Sequence, residues 1–242
     1  MVGMLLWKTP ERGKRSVFVR ERSILHTRFL CAEVARGPKT PEAVARRRMA
    51  AAIRRLRKQG VTQAVLPEGF AYGELLDRGG VHGVSTLPLR RAIAADYVRW
   101  SLRERDIPAA GARVAVCAAA LTGDVVRTVT VLTLRHRYVL LDLPYGGEEL
   151  ARQLRREYGV SLMLSPSKEQ LEAADAMVCF DPRPDCLGPG RIPLYDGASP
   201  MPPLSLPPAL EEQLPAGVRR DQLLTVLREA GSLRPGQLSV GT

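Results

Sequence analysis

The chain has 242 residues, of which 45% are hydrophobic and 25% are charged, the balance of an ordinary globular protein. This composition excludes wholesale disorder and a disulfide-stapled mini-protein, and the length allows one large domain or two small ones. No apolar run reaches the roughly 18 residues that a membrane-spanning helix needs. The apolar start of the chain is too short for a signal-peptide core. These features predict a soluble, cytoplasmic protein that does not contact a membrane.

The positive charge of the protein is concentrated near its N-terminus. Lys and Arg together number 36 against 25 acidic residues, which gives a net charge of +11. Residues 1–60 hold 16 basic and 4 acidic residues, a net charge of +12, so the remaining residues are close to neutral. This distribution indicates a basic N-terminal surface, which is either solvated or contacts an acidic partner.

The first half of the sequence predicts a small α/β domain. Alternating apolar residues over 16–31 are typical of an antiparallel hairpin. A helix over 41–59 follows, with Thr40 and Pro41 as its start signal and Gly60 as its stop. The remaining predicted elements are strands over 61–66 and 81–84, a short helix over 72–78 and a long helix over 87–105.

The second half alternates four times between strand and helix. The predicted strands cover 113–118, 138–143, 160–164 and 176–180. Near-continuous apolar strands joined by helices are typical of a parallel sheet with both faces covered. In the usual strand order of such sheets the first and fourth strands are neighbours, so Cys117 and Cys179 should lie side by side. Asp142 and Asp181 should lie along the same edge.

Ten prolines fall between residues 182 and 215. Because proline lacks a backbone donor, this segment predicts an extended strap that contains at most a short strand at 192–195. A last helix is expected over 218–230. We therefore expect three regions, with bounds 1–107, 108–200 and 201–242.

The loop after the first strand of the second half resembles a dinucleotide-binding loop. Such loops read G-x-G-x-x-G, and an acidic residue about 20 positions later binds the ribose. Here Ala118, Ala120 and Gly123 occupy the three glycine positions, and Asp142 follows Gly123 by 19 residues. Ala120 adds a methyl group where backbone would approach a pyrophosphate, and Ala118 stands where the first glycine makes a tight turn. These four residues are the candidate cofactor-binding set, and the loop is degenerate.

The stretch from Gly111 to Asp142 resembles the nucleotide-binding domain of the shikimate dehydrogenase and glutamyl-tRNA reductase group. The helix over 87–105 and the strand in 174–178 extend the resemblance to about residues 81–198. It implies an α/β fold with a Rossmann-like parallel sheet in the C-terminal half, preceded by a smaller α/β domain. It implies NAD or NADP as cofactor where the loop is intact. None of the five lysines stands in a motif like the group's catalytic Lys–Asp pair.

Two residues in the first half are candidate catalytic groups. Glu68 follows the predicted strand over 61–66, and His82 lies between glycines in the next one. They can act as an acid–base pair if the two strands are adjacent. The alternative is that His82, which lies beside glycines, has a structural role and no catalytic one.

The four cysteines and three histidines show no metal-ligand spacing, so we expect reduced, buried thiols and no metal site.

The predicted basic helix suggests a second kind of site. Its apolar residues form one stripe, so its charges face outward. Such a face can contact the phosphates of a nucleic acid, or it can simply be solvated, and no aromatic residue lies near it in the sequence. The candidate contacts are Arg46, Arg47, Arg54, Arg55 and Lys58.

Three functional hypotheses follow from the sequence. The first is a Rossmann-like protein with a degenerate loop that binds a small ligand or a protein partner in a cleft between its halves. The second is an active NAD- or NADP-dependent reductase. The third is a nucleic-acid-associated module that uses the basic N-terminal face.

Overall fold

The computed structural model describes residues 1–10, 16–188, 190–234 and 236–241. The chain divides into two compact units: Met1–Thr86 with Ser205–Ser239, and Leu87–Leu204 with Val240–Thr242. In chain order the elements are β1 (Val2–Lys8), β2 (Val17–Ile24), β3 (Thr27–Ala35), α1 (Glu42–Lys58), β4 (Gln63–Val65), α2 (Gly73–Gly79), β5 (His82–Gly83), α3 (Leu87–Ala92), α4 (Ala94–Glu104), β6 (Arg113–Cys117), α5 (Gly123–Arg135), β7 (Tyr138–Asp142), α6 (Gly147–Tyr158), β8 (Met163–Leu164), α7 (Lys168–Glu172), β9 (Ala176–Cys179), β10 (Arg191–Pro193), β11 (Leu204–Ser205), α8 (Pro208–Glu211), α9 (Arg220–Glu229) and β12 (Ser239–Val240).

The first unit contains a five-stranded sheet in the order β2-β3-β1-β4-β5. Strands β2 and β3 form the expected antiparallel hairpin, and β1 pairs in parallel with both β3 and β4. The sequence patterns do not predict β1, although it is the middle strand of the sheet. Its run of apolar residues lacks the period-two alternation of a half-buried strand because both of its faces are covered.

Helices α1 and α2 cover one face of this first sheet. The buried side of α1 is its apolar stripe, which includes Met49, Ile53 and Leu56, and these side chains pack against Leu30 and Ala32 of β3. The basic residues of α1 are left on the opposite side, as its sequence predicts. Helix α9 also belongs to this unit, and its Gln222 side chain accepts a hydrogen bond from the Leu66 N–H at 2.9 Å.

The second unit contains a five-stranded sheet in which every strand pair is parallel, with the order β10-β9-β6-β7-β8. Counted from β6, this order is 3-2-1-4-5, the arrangement of dinucleotide-binding α/β sheets. The predicted Rossmann-like fold class is therefore confirmed. So is the predicted neighbour relationship between β6 and β9, because Cys117 and Cys179 are register partners.

The boundary between the units lies at residues 86 and 87 rather than at the predicted 107 and 108. The predicted long helix over 87–105 is two helices, α3 and α4, separated by Ile93. The apolar side of α4, with Tyr97, Val98 and Leu102, packs with Val114 and Val116 of β6. That burial assigns α4 to the second unit, and α3 belongs to the same unit. Helical periodicity alone does not reveal this relationship.

The proline-rich segment is ordered in part by side-chain contacts within the second unit. Arg90 is 2% exposed and donates to the backbone carbonyls of Gly197, Ser199 and Pro200. The Tyr97 hydroxyl also donates to the Pro200 carbonyl, at 2.8 Å. Strands β11 and β12 pair as a separate two-stranded sheet. Within the part of the chain that the structure describes, no helix is both long enough and apolar enough to cross a lipid bilayer.

Candidate functional site

The carboxyl edge of the second sheet gathers polar and thiol side chains. Cys117 ends β6, Asp142 ends β7 and Cys179 ends β9, and the register places Cys117 beside each of the other two. Because parallel strands share one carboxyl edge, the loops that follow these strands meet there. Open parallel sheets bind their ligands at this edge, which makes it the candidate functional site.

The loop after β6 donates its first backbone N–H groups to the chain itself. The Ala118 N–H donates to the backbone carbonyl of Asp142 at 3.1 Å. The Ala119 N–H donates to Oδ2 of Asp181, the residue that follows Phe180 after β9, at 2.8 Å. A carboxylate of the protein therefore occupies a donor that a phosphate would need from this loop. The next residue, Ala120, is exposed.

Gly123 does not have the packing role that its motif position suggests. A Cβ built on Gly123 meets no atom within 4 Å, so no close approach of helix and strand requires a glycine there. It is the first residue of α5, and Thr122 before it caps the helix by accepting from the Val125 N–H at 3.4 Å. Close packing of helix against strand, the role of the third glycine in dinucleotide-binding loops, is therefore not the role of Gly123.

Asp142, the predicted ribose-binding acid, forms an ion pair with Arg183. The same guanidinium donates to both carboxylate oxygens of Asp185, each at 3.0 Å. These hydrogen bonds hold the pKa of Asp185 well below its usual range and raise the pKa of Arg183. Asp142 thus faces a guanidinium of its own chain.

Sequence patterns do not single out Arg183, which lies in the proline-rich segment. The only local indication in the sequence is Asp185, two residues later. At that spacing a guanidinium can donate to both oxygens of the carboxylate. Asp181, by contrast, lies along this edge as the sequence predicts. Its hydrogen bond to the loop depends on the neighbouring positions of β6 and β9, which only the fold establishes.

Three thiols lie below this edge in one buried cluster, formed by Cys117, Cys179 and Cys186. A hydrogen bond between Cys117 and Cys179 raises the pKa of Cys117 and lowers that of Cys179. Burial raises the pKa of Cys186, whose Sγ lies 3.5 Å from Oδ2 of Asp185. In the described ranges, no group of three or more His, Cys, Asp or Glu side chains could hold a metal ion.

An open groove lies beside the loop, at the carboxyl ends of β7 and β8. Its volume is about 290 Å³, and its walls combine leucine side chains with the polar surface of the surrounding turns. The turn before α6 forms one side, where Gly146 has a φ of +81° and approaches the side chain of Leu121. Ser165 on the opposite side has a φ of +49°, a strained conformation for a residue with a Cβ. The lining residues are Leu141, Leu143, Pro144, Tyr145, Gly146, Gly147, Glu148, Leu164 and Ser165.

The structure does not bring the two candidate catalytic residues of the first unit together. Strands β4 and β5 are adjacent and parallel, but His82 lies opposite Gln63 at the start of β4. Glu68 follows five residues after Gln63, roughly 16 Å along an extended chain. The glycine after His82 has a packing reason, because a Cβ on Gly83 would lie 3.0 Å from the Leu66 side chain and 3.2 Å from that of Gln222.

The basic side chains of α1 divide into two groups. Arg46 forms an ion pair with Glu74 at 2.9 Å, and Arg55 donates to the Val17 carbonyl at 2.7 Å. Each of these two predicted contacts thus has a partner inside the first unit. The other three predicted contacts are exposed and have no hydrogen-bond or ion-pair partner among the described residues: Arg47, Arg54 and Lys58.

Comparison with known proteins gives a weak likeness at the level of the fold. The sequence matches no protein-family model, and no curated protein is similar enough to count as a relative. Among solved structures, L-tryptophan dehydrogenase from Nostoc punctiforme is similar over 62% of this chain and 44% of its own, with 12% identity and a TM-score of 0.28. A D-lactate dehydrogenase from Treponema pallidum is similar over 62% of this chain and 48% of its own, with 15% identity and a TM-score of 0.28.

Shikimate 5-dehydrogenase from Listeria monocytogenes, solved in complex with shikimate and NAD, is similar over 74% of this chain. The match covers 68% of that enzyme, with 11% identity and a TM-score of 0.28. The chain thus spans less than half the length of the first two dehydrogenases and about two thirds of the third. The parallel pairing and the strand order of the second sheet, and not these matches, define the class of protein, which is an α/β protein with a Rossmann-like unit.

Proposed function

We propose that this protein binds a small, uncharged ligand in the groove at the carboxyl ends of β7 and β8, and that it does so without a dinucleotide. The groove carries the proposal, because it lies where parallel sheets bind ligands and its volume of about 290 Å³ is close to the lower limit of small-molecule pockets, about 300 Å³. The protein then acts as a binding module and not as an oxidoreductase.

Two contacts support the absence of a dinucleotide from the proposed site. The Asp181 carboxylate accepts from Ala119 at the position of the phosphate loop, and Asp142 is held in an ion pair with Arg183. A pyrophosphate would have to displace one carboxylate and would meet repulsion from the other. Breaking such contacts costs free energy that a single helix N-terminus, at about 0.3–1 kcal/mol for a surface charge, does not offset.

The lining of the groove supports a small, neutral ligand that carries both apolar and polar groups. Leucine side chains from β7 and β8 form its floor, and the exposed ring of Tyr145 lies at its mouth. Glu148 is its one charged lining residue, so an anionic ligand would be disfavoured. Backbone groups of the turn before α6 can provide the few polar contacts that orient such a ligand.

Thermal unfolding in the presence of candidate ligands tests the proposal. We expect no shift of the melting temperature with NAD or NADP at millimolar concentration. Flat neutral probes, adenosine and nicotinamide among a set of uncharged aromatic fragments, should include compounds that raise it. A ligand at 100 times its Kd adds about 2.7 kcal/mol, which corresponds to about 5 °C or more for a chain of this size.

A pair of glycine variants locates the binding site. In Gly147→Ala the new methyl group would lie 3.6 Å from Leu164 and 3.8 Å from Leu141, so it narrows the groove without a clash. We expect affinity for a neutral probe to fall about tenfold. Gly73→Ala is the control, because Gly73 also begins a helix and its Cβ would meet no atom within 4 Å. Stabilisation by NAD, or equal affinity in Gly147→Ala and Gly73→Ala, would contradict the proposal.

A further inference from the structure

The outer border of the second sheet carries a longer strand-like segment than the pairing of β8 shows. Strand β8 is the last strand on that side, and its Met163 and Leu164 pair with β7. Half-buried and exposed side chains alternate from Val160 to Leu164, and Val160, Leu162 and Leu164 pack against the core that α6 covers. This alternation is typical of a strand with one buried face. Residues 160–164, the edge segment, therefore have an outer side that faces no other strand among the described residues.

The backbone of the edge segment directs hydrogen-bonding groups away from the sheet. The Ser165 N–H donates to the Leu141 carbonyl at 3.2 Å, so the Leu164 carbonyl of the same peptide group points away from β7. Because backbone groups alternate in direction along a strand, those of Leu162 point outward as well. Such an edge is a template for pairing with another chain. The opposite edge of the sheet is protected, because β10 ends at Pro193, which has no N–H to donate.

A groove of about 340 Å³ runs along this border, between the edge segment and α6. The edge segment lines it with its three half-buried apolar residues, and α6 lines it with residues that include Glu148, Ala151 and Arg155. These three residues are spaced by three and four positions, so they lie on one side of the helix. Glu148 and Arg155 are exposed, and neither has an ion-pair partner among the described residues. This side of α6 thus offers an acid at one end, a base at the other and a small residue between them.

The charges along this side of α6 are complementary to the same charges in reverse order. Glu148 and Arg155 are seven residues, about 10 Å, apart, and the midpoint between them lies between Ala151 and Arg152. In an antiparallel copy of the helix, turned about this midpoint, each Glu148 faces the Arg155 of the other copy. Arg152 is already paired with Glu149 of its own helix, and Ala151 leaves room for the two helices to approach.

The middle of the edge segment lies at the level of that midpoint. Gly147 at the start of α6 lies beside Leu164, because a Cβ on Gly147 would be 3.6 Å from the Leu164 side chain. The helix midpoint is about 7 Å from Gly147 along α6, and Leu162 is about 7 Å from Leu164 along the strand. The helix and the edge segment run in opposite directions, so both distances are measured toward the same end of the sheet. A single twofold axis therefore serves the helix and the strand together.

We propose that a second copy of this chain docks on this border, with the two edge segments antiparallel about Leu162 and the two α6 helices side by side. The pairing satisfies the outward backbone groups and places Leu164 of each copy opposite Val160 of the other, which buries half-exposed apolar surface. Two ion pairs between Glu148 and Arg155 form at the same time. Any other partner would have to carry this pattern in reverse, whereas a second copy carries it by symmetry.

Sedimentation equilibrium of the full chain tests this proposal. We expect the average mass to rise from 26.5 kDa toward twice that value as the protein concentration increases. A range from about 1 to 300 µM covers the affinities of a modest interface. Both Arg155→Glu and Glu148→Arg should raise the dimer dissociation constant about tenfold or more, because two attractive pairs become repulsive. Arg156→Glu is the control, since it makes the same change at the next exposed residue of α6, which does not line the groove.

Mixing the two single variants gives the sharpest readout. In a mixed dimer of Arg155→Glu with Glu148→Arg, both contacts again join opposite charges, negative residues on one chain and positive residues on the other. We expect this mixed dimer to be about as tight as that of the unmodified chain, as followed through a fluorophore on one variant. A loss of association caused by damage to the fold would not be restored by mixing.

The variant Met163→Lys tests the strand contact separately from the helix contact. Met163 is 46% exposed, and the proposed pairing sets the two copies of its side chain diagonally across the axis. Two ammonium groups there should weaken the dimer at least about tenfold. Leu187→Lys, at a position that is 77% exposed in the same unit, should leave it unchanged.

Three results would overturn the proposal. The first is a chain that stays monomeric over the whole concentration range, which would leave the edge to an extended peptide of another protein. The second is a dimer that Arg155→Glu and Arg156→Glu weaken equally or not at all, which would use another surface. The third is a failure of the two single variants to form the mixed dimer.

Discussion

Cys117 and Cys179 lie opposite each other on the neighbouring parallel strands β6 and β9, and neither side chain is exposed. They are 62 residues apart in the sequence, and the chain between them forms α5 followed by two strand–helix units, β7 with α6 and β8 with α7. Their pairing therefore shows that the first and fourth strands of this sheet are neighbours. It also places two thiols beneath the loop that resembles a phosphate loop, together with Cys186.

Burial of all four cysteines predicts a slow reaction with a thiol reagent in the native state. Cys31, Cys117, Cys179 and Cys186 are buried and free, so reaction must wait for local or global opening. We expect less than one thiol to react with Ellman's reagent within minutes under native conditions, and four to react in 6 M guanidinium. Tyr145→Cys is the positive control, because Tyr145 is 85% exposed. Rapid reaction of a native thiol in the unmodified protein would contradict this arrangement.

Two glycines at opposite ends of α2 should differ sharply in their tolerance of alanine. A Cβ on Gly79 would lie 2.3 Å from Cγ2 of Ile53, a buried residue of α1, so Gly79→Ala forces the two helices apart. We expect a loss of about 1–3 kcal/mol in the free energy of unfolding. Gly73→Ala meets no atom and should be neutral or slightly stabilising. Urea denaturation of both variants measures the difference, and equal stabilities would refute the close packing of α1 and α2.

The buried guanidinium of Arg90 should be essential for the order of the strap at residues 197–200. Arg90→Met removes hydrogen bonds to three backbone carbonyls and leaves those carbonyls unsatisfied. We expect a loss of about 2–4 kcal/mol and faster proteolysis within the strap. Arg99→Met is the matched control, because Arg99 is an exposed arginine of α4 whose partner is Asp96 at 3.3 Å. Proteolysis at the same rate in both variants would show that Arg90 does not hold the strap.

Stability should fall in acid because several carboxylates are stabilised in their charged form. Hydrogen bonds from Arg183 and Arg220 lower the pKa values of Asp185 and Glu211 in the folded state. A lowered pKa contributes stability above the unfolded-state value, about 4, and this contribution is lost as the pH falls through the folded-state values. We therefore expect the melting temperature to decrease from about pH 4 downward, and less steeply at high salt because these groups are near the surface.

Neutral variants identify the carboxylates responsible for the acid effect. Asp185→Asn and Glu211→Gln should each flatten the dependence of melting temperature on pH below pH 4, since neither side chain then gains a proton. Glu212→Gln, a change of the same chemistry at an exposed neighbouring position, should leave the dependence as it is. If Glu212→Gln flattens the curve as much as Glu211→Gln does, the Arg220 pair is not the cause.

Local sequence patterns determined most of the second unit. Apolar runs bounded by Gly, Ser or Thr predict β6, β7 and β9 and the helices between them, because each signal depends on residues close together in the chain. Thr122 caps the start of α5 with its side chain and Gly159 ends α6 in a left-handed conformation, and both are residue types that favour those positions locally. The alternation of strand and helix then predicted a parallel sheet, and the usual strand order of such sheets predicted that β6 and β9 are neighbours.

Tertiary structure alone decided the middle strand of the first sheet and the true boundary between the units. Strand β1 pairs with β3 and β4, and this pairing depends on segments that lie up to about 60 residues apart, which no local pattern encodes. Helix α4 belongs to the second unit because its apolar side is buried there, and α3 belongs to the same unit. Periodicity shows that a helix has an apolar side, but not which sheet covers it.

The candidate sites also contain some residues that the sequence predicts and some contacts that only the fold establishes. Residue types and spacing were enough to locate the loop of Ala118–Gly123, Asp142 and the basic face of α1. Only the fold shows that the Ala119 N–H donates to the Asp181 carboxylate and that Arg183 pairs with Asp142. These contacts join residues that are distant in the chain, and a hydrogen bond or ion pair acts over a few ångströms in space whatever the sequence separation.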